Sequence, residues 1–217
     1  MAETMRRTVN MMLQGIERYN PLNLQTFERY VEIQSQENAY HLEANLAVLK
    51  LYQINQNFNI EIICHILLKA LTNLPHTDFI LCKYLLNKSL CNTSPIKEII
   101  ELADLLECCE FQKFWIKARS MDELCSRIVG FHDSIRKFVC HVVGITFQTI
   151  NKNLLVQLLG GVDDTTFQLK QWVQKYGWKE IDGNMIFIAN QDENIKTKNI
   201  TEKIDFETVS GIMAACN

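Results

Sequence analysis

Five histidines and eight cysteines are the side chains in this sequence that could act as bases, nucleophiles or metal ligands, so their spacing decides what chemistry is possible. Cys64 precedes His65 and Cys140 precedes His141. Neighbours on a helix project about 100° apart, so neither pair closes into a Cys–His dyad. His41 and His132 have no acidic or cysteine partner at ligand spacing, and His76, after Pro75, suits the start of a helix. No H-E-x-x-H or C-x-x-C occurs, and the cysteines, most of them inside apolar runs, read as small buried hydrophobes in a reducing compartment. Glu98, Glu101, Asp104, Glu107 and Glu110 recur every third residue, the pattern of a solvated helix face. The glycines form neither a G-x-G-x-x-G nor a P-loop. The residues predict no catalytic site, no cofactor and no metal.

The elements that would carry these residues are helices over the first hundred and thirty positions. Apolar stripes recur at Leu24, Phe27 and Val31; at Leu42, Leu46, Leu49 and Tyr52; at Ile63, Ile66, Leu67, Ala70 and Leu71; at Phe79, Cys82, Leu85 and Leu86; and at Ile96, Ile99, Ile100, Ala103 and Leu106. Ser94 and Pro95 mark the start of the last, as N-cap and first helical residue. Leu24, Ile60 and Ile96 lie 36 positions apart, about the length of a two-helix solenoid repeat, with a non-repetitive helical bundle as the alternative. From Phe111 to Arg127 the pattern is less regular. Gly130 then precedes a long amphipathic stretch carrying Phe131, Ile135, Phe138, Val139 and Val142.

Downstream the period changes. Leu154, Leu155, Leu158 and Leu159 form a helical stripe closed by Gly160 and Gly161; Phe167, Leu169, Trp172, Val173 and Tyr176 form another, capped by Asp163 or Asp164 and stopped at Gly177. Trp178–Ile181 and Asn184–Ala189 then alternate about Asp182-Gly183, which predicts a two-residue type I′ hairpin with Trp178 opposite Phe187. Ile145–Ile150 supplies a third strand. Helix, strand, helix, helix and hairpin in that order is a winged helix. The sequence therefore predicts a mostly α protein: a HEAT- or TPR-like helical-repeat domain over 1–129, a winged-helix domain with a small β-hairpin over 130–190, and a polar connector with a C-terminal helix over 191–217.

A net charge of −3 argues against electrostatic binding of nucleic acid, and from Asn151 onward seven lysines face nine acids. The second winged-helix helix offers only Lys170 and Lys175 with Gln168, Gln171 and Gln174, too few phosphate contacts to support base readout at physiological salt. No window approaches a membrane span, and Met1–Leu13 lacks an apolar core followed by a small-residue cleavage site, which predicts a cytoplasmic or nuclear protein without membrane contact.

Long stretches of the chain, Arg18–Tyr52, Leu67–Phe79, Ile135–Phe147, Lys175–Trp178 and Ile200–Phe206, resemble the k-subunit family of eukaryotic translation initiation factor three. The resemblance implies the PCI-like arrangement of helical repeats and winged helix shared with small subunits of the proteasome lid and the COP9 signalosome. It also implies a non-catalytic scaffold that pairs with the l subunit inside a factor binding the small ribosomal subunit. The alternatives are a small subunit of the lid or signalosome, and a winged-helix regulator that binds nucleic acid. Two partner-facing surfaces are expected: the hairpin edge over Met185–Ala189, with Met185 and Phe187, where an unpaired strand would extend a shared sheet, and the terminal helix with Phe206, Val209, Ile212 and Met213 on one side, a stripe that must be buried either against its own domain or against a partner subunit.

Overall fold

The computed structural model describes residues 2–161, 165–181, 184–191 and 206–215. In chain order the helices are α1 (Ala2–Met12), α2 (Leu24–Gln36), α3 (Leu42–Asn55), α4 (Ile60–Leu71), α5 (Asp78–Tyr84), α6 (Lys88–Cys91), α7 (Ile96–Glu107), α8 (Phe111–Ser120), α9 (Asp122–Cys125) and α10 (Phe131–Thr146). Strand β1 (Thr149–Asn151), helices α11 (Lys152–Leu158) and α12 (Thr165–Lys175), strands β2 (Lys179–Ile181) and β3 (Met185–Phe187), and helix α13 (Phe206–Ala215) follow.

The 36-residue interval has a structural counterpart. Leu24, Ile60 and Ile96 are the first residues of α2, α4 and α7, which pack side by side as one layer, while α3, α5 and α8 each fold back on the helix before them. Helix α4 is apolar nearly all round because it is enclosed on all sides: Ile62, Ile63, Ile66, Leu67, Leu68 and Leu71 are all buried, against α2, α5, α7 and α10. Asn59 starts it, its Oδ1 accepting from the amides of Glu61 (3.1 Å) and Ile62 (3.4 Å). Two details differ from expectation. Phe111, Phe114, Trp115 and Ala118 are buried at helical spacing in α8, so the irregular stretch is helical too. At α7, Pro95 occupies the N-cap, and the Ser94 hydroxyl donates to Glu98 Oε1 (2.7 Å) instead of capping an amide.

A buried polar turn between α2 and α3 moors the start of α10. Gln34 donates to Asn45 Oδ1 (2.9 Å) and accepts from the His41 amide (2.7 Å); the Ser35 carbonyl accepts from the Val129 amide (3.0 Å). Lys69, only 1% exposed, reaches Asn38 Oδ1 at 3.3 Å. Gly130 stands at φ +77 beside this turn, where a Cβ would lie 2.9 Å from the side-chain Nδ2 of Asn38.

Helix α10, β1, α11, α12 and the β2–β3 hairpin form the winged helix. The antiparallel sheet has the order β1-β3-β2. Three expectations are corrected here. Helix α10 runs on through Thr146, so the first strand is Thr149–Asn151 and not Ile145–Ile150. Lys179, not Trp178, stands opposite Phe187, and Ile181 pairs with Met185, which leaves a three-residue loop closed by Asn184 at φ +82. That left-handed third residue fits a three-residue hairpin in place of the two-residue turn. Asp182 and Gly183 themselves, like the proposed caps Asp163 and Asp164, lie outside the described residues. Third, β3 is the central strand, bonded on both sides, so Met185–Ala189 offers no free edge. Ile150 and Ile186 face inward, and one apolar core runs from Val9 to Ile188 through repeats and winged helix alike.

Candidate partner interface

A joint between the repeats and the winged helix holds the end of α11, next to the sheet that could hold a neighbouring chain. The C-terminus of α11 ends in carbonyls that its own helix cannot satisfy. Trp115 Nε1 donates to the Leu158 carbonyl (2.8 Å), Arg136 Nε to that of Leu159 (3.3 Å) and Arg119 Nη2 to that of Gly160 (2.6 Å). Two of these donors are cationic, the sign that a helix C-terminus favours. The Arg136 guanidinium also lies 5.4 Å from the Trp115 ring centre, and His132 stacks on the same ring at 5.9 Å. Gly160, at φ +99, lets the backbone approach so closely that a Cβ would meet Trp115 at 2.8 Å.

On the outer face of the sheet, Met185 and Phe187 are half-buried, and Ile181 beside Met185 is 48% exposed. The free edges are β1 and β2. All three residues of β2 are exposed, and Lys152 Nζ lies 3.5 Å from Glu180 Oε1 across it. Ile181 and the β2 backbone are thus the members of this surface that the sequence reading does not pick out. The correct hairpin register would have placed Ile181 on the same face as Met185, since a one-residue shift exchanges the two faces of a strand.

Helix α13 carries the second surface. From Val209 to Ala215 every residue is exposed, with Val209 at 39%, Ile212 at 61% and Met213 at 68%. The side chain of Phe206 lies outside the described residues. Each fully buried Ile or Met is worth about 1.5–3 kcal/mol relative to exposure, so this helix leaves a substantial hydrophobic contribution unused within its own chain.

In the presumed recognition helix, α12, Leu169 and Val173 are buried and Trp172 half-buried, while Lys170, Gln171, Gln174 and Lys175 are exposed. Trp172, Tyr176 and Trp178 stack in succession at 6.2 and 5.3 Å, and Lys175 Nζ sits 4.8 Å over the Trp172 ring. Burial pushes the Tyr176 hydroxyl pKa up. Of the acidic face on α7, Glu101 pairs with Lys117, and Asp104 lies 3.8 Å from Lys83, so the run is a solvated face tied to neighbouring helices. Burial pushes the thiols of Cys64, Cys82 and Cys140 up to about 12 and that of Cys125 to about 11, which keeps them protonated. Cys108 and Cys109, by contrast, are exposed. His132 does have an acidic neighbour, Asp122 Oδ1 at 3.6 Å, brought near by the α9–α10 turn and not by sequence spacing. Burial lowers the pKa of His65, and both its ring nitrogens are buried without a hydrogen-bond partner. No helix among the described residues is long and apolar enough to cross a membrane.

Known proteins are similar to this chain over most or all of its length. A model of the CSN8/PSMD8/EIF3K family matches residues 57–199. The protein named eukaryotic translation initiation factor 3 subunit K in Bombyx mori is 65% identical over 215 residues, covering 99% of this chain and 97% of that one. Its namesake in Homo sapiens is 56% identical over 216 residues (99% and 98%), and that in Anopheles gambiae 57% over 206 residues (94% and 92%). A repeat layer, a winged helix and end-to-end identity above one half have one common explanation: the chain belongs to the CSN8/PSMD8/EIF3K family, in its branch of subunits K of eukaryotic translation initiation factor 3.

Proposed function

We propose that this chain is a non-catalytic scaffold subunit of the cytoplasmic initiation factor 3 complex and supports binding of the small ribosomal subunit through protein contacts. The l subunit is its direct neighbour in this reading. Residues 1–129 supply a helical-repeat body, 130–190 a winged helix, and 191–217 a connector ending in a helix given to a bundle of subunit termini. The observation that carries the proposal is α13: an apolar helix whose described residues are all exposed. Val209, Ile212 and Met213, with Phe206, would bury their side chains only against another chain. The sheet contributes at β2, whose open backbone can accept a strand while Ile181, Met185 and Phe187 cover it from one face.

The test is co-purification with the l subunit using Ile212→Asp combined with Met213→Asp, and separately Phe206→Asp. Ile212 and Met213 are exposed, so the double variant keeps the circular dichroism and melting temperature of the parent and loses the l subunit. Retention of the l subunit by both variants removes α13 from the interface.

A further inference from the structure

Away from both surfaces, three shallow cavities of about 590, 510 and 440 Å³ lie end to end along the repeat layer. Glu28 lines the first and second, and Phe58 the second and third, so they form one trough, open to solvent, from the α1–α2 face across the α3–α4 loop to the end of α5. Each cavity alone has the size of a small-molecule site. Joined, they suit a length of chain.

The lining is graded along its length. At one end stand Glu28 and Glu32 on α2, one helical turn apart, with Arg29 the one basic side chain among the described residues that line it. The Glu28 carboxylate accepts from the buried Tyr52 hydroxyl, a neutral donor that fixes the carboxylate without cancelling its charge; burial, and then this hydrogen bond, push the Tyr52 pKa up. Glu32 has no ion-pair partner among the described residues, whereas Glu61, in the middle, is held by Arg127 at 2.6 Å. At the other end the wall is Phe58 and Leu85 among the amides of Gln53 and Gln56. Gln53 Oε1 is taken by Lys50 Nζ (2.9 Å), which leaves its NH2 group free to donate to a passing carbonyl.

From this gradient we infer that the trough binds an extended polypeptide segment of a partner protein. Arginine or lysine side chains of the segment lie at Glu28 and Glu32, and an apolar side chain some residues away lies on Phe58 and Leu85. Carboxylates whose charge no cation offsets repel phosphate, so the occupant is polypeptide and not RNA. The inference does not depend on α13 or on which complex the chain joins.

Fluorescence anisotropy of the purified full chain tests it. The probe is a labelled dodecapeptide carrying two arginines near one end and two leucines near the other, joined by glycine and serine. Saturable binding is expected, weakened about tenfold by Glu28→Gln with Glu32→Gln, as one half-buried and one exposed charge pair imply. Gln56→Gly, which suits the left-handed backbone there (φ +54), also weakens it. Asp104→Asn with Glu107→Gln on α7 leaves it unchanged, and a probe with glutamate in place of arginine does not bind. Four results would overturn the inference: no saturable binding below about 1 mM, equal binding of the glutamate probe, equal loss in the α7 variant, or displacement of the peptide by a single-stranded RNA oligomer.

Discussion

Replacing Gly160 by alanine probes the joint that fixes the winged helix to the repeats. Two costs arise. The backbone stands at φ +99, where an L side chain is strained by about 1 kcal/mol. The new methyl would also lie 2.8 Å from Trp115 Cδ2, which forces the ring to shift. That ring is buried and tied by its Nε1–Leu158 hydrogen bond of 2.8 Å, so the shift strains packing and loosens a bond, for about 2 kcal/mol more. The sum, about 3 kcal/mol, lowers the melting temperature by about 9 °C for a chain of this size. Gly177→Ala is the control: its φ is +70, but a Cβ there meets nothing within 4 Å, so only the backbone cost of about 1 kcal/mol applies. Urea denaturation followed by far-ultraviolet circular dichroism reads both. Combining Gly160→Ala with Trp115→Leu should recover more than about 1 kcal/mol relative to additivity, since the ring that clashes is gone. Equal destabilisation by Gly160→Ala and Gly177→Ala would refute the role given to Trp115.

Other outcomes follow from burial and charge. Burial lowers the Lys69 pKa from 10.5 to about 8, so between those values the unfolded chain holds the proton that the folded chain has released. Its contribution therefore makes stability rise with pH across that window and is least favourable below pH 8; the urea midpoint of the native chain, relative to that of Lys69→Met, should rise from pH 7 to pH 10. A thiol reagent should label Cys108 and Cys109 in the native chain and reach Cys64, Cys82, Cys125 and Cys140 only on unfolding, as peptide mass spectrometry will show. Ile181→Asp, at a half-exposed site, should change unfolding free energy by less than about 0.5 kcal/mol while reducing recovery of the l subunit.

The helices were legible in the sequence where apolar residues recur at helical spacing, and the equal intervals from Leu24 to Ile60 to Ile96 located one helix layer to the residue. Helix α8 follows the same rule with Phe111, Phe114, Trp115 and Ala118, but its lysines, arginine and glutamine mask the stripe in a short window. The hairpin was legible as two alternating runs, whereas its register was not. Register depends on whether Asn184 belongs to the loop or to the strand, and asparagine serves either because it tolerates positive φ. Strand order was likewise out of reach: that β1 pairs with β3 and leaves β2 at the edge is decided by the path of α11 and α12 between them. At the candidate interface, Ile212 and Met213 were legible as an apolar stripe on a terminal helix. The trough over Glu28 and Phe58 left no sequence signal, because its lining comes from α1 to α5 and no local pattern brings those residues together.

Quantitative mass spectrometry of the endogenous complex captured on this chain, washed in rising salt, is the most direct test of the central claim. The account predicts initiation factor 3 subunits in equal amounts, with the l subunit retained to the highest salt because its contact with α13 is apolar. Recovery of proteasome-lid or signalosome subunits in their place, or of RNA that leaves at moderate salt without protein partners, would contradict it.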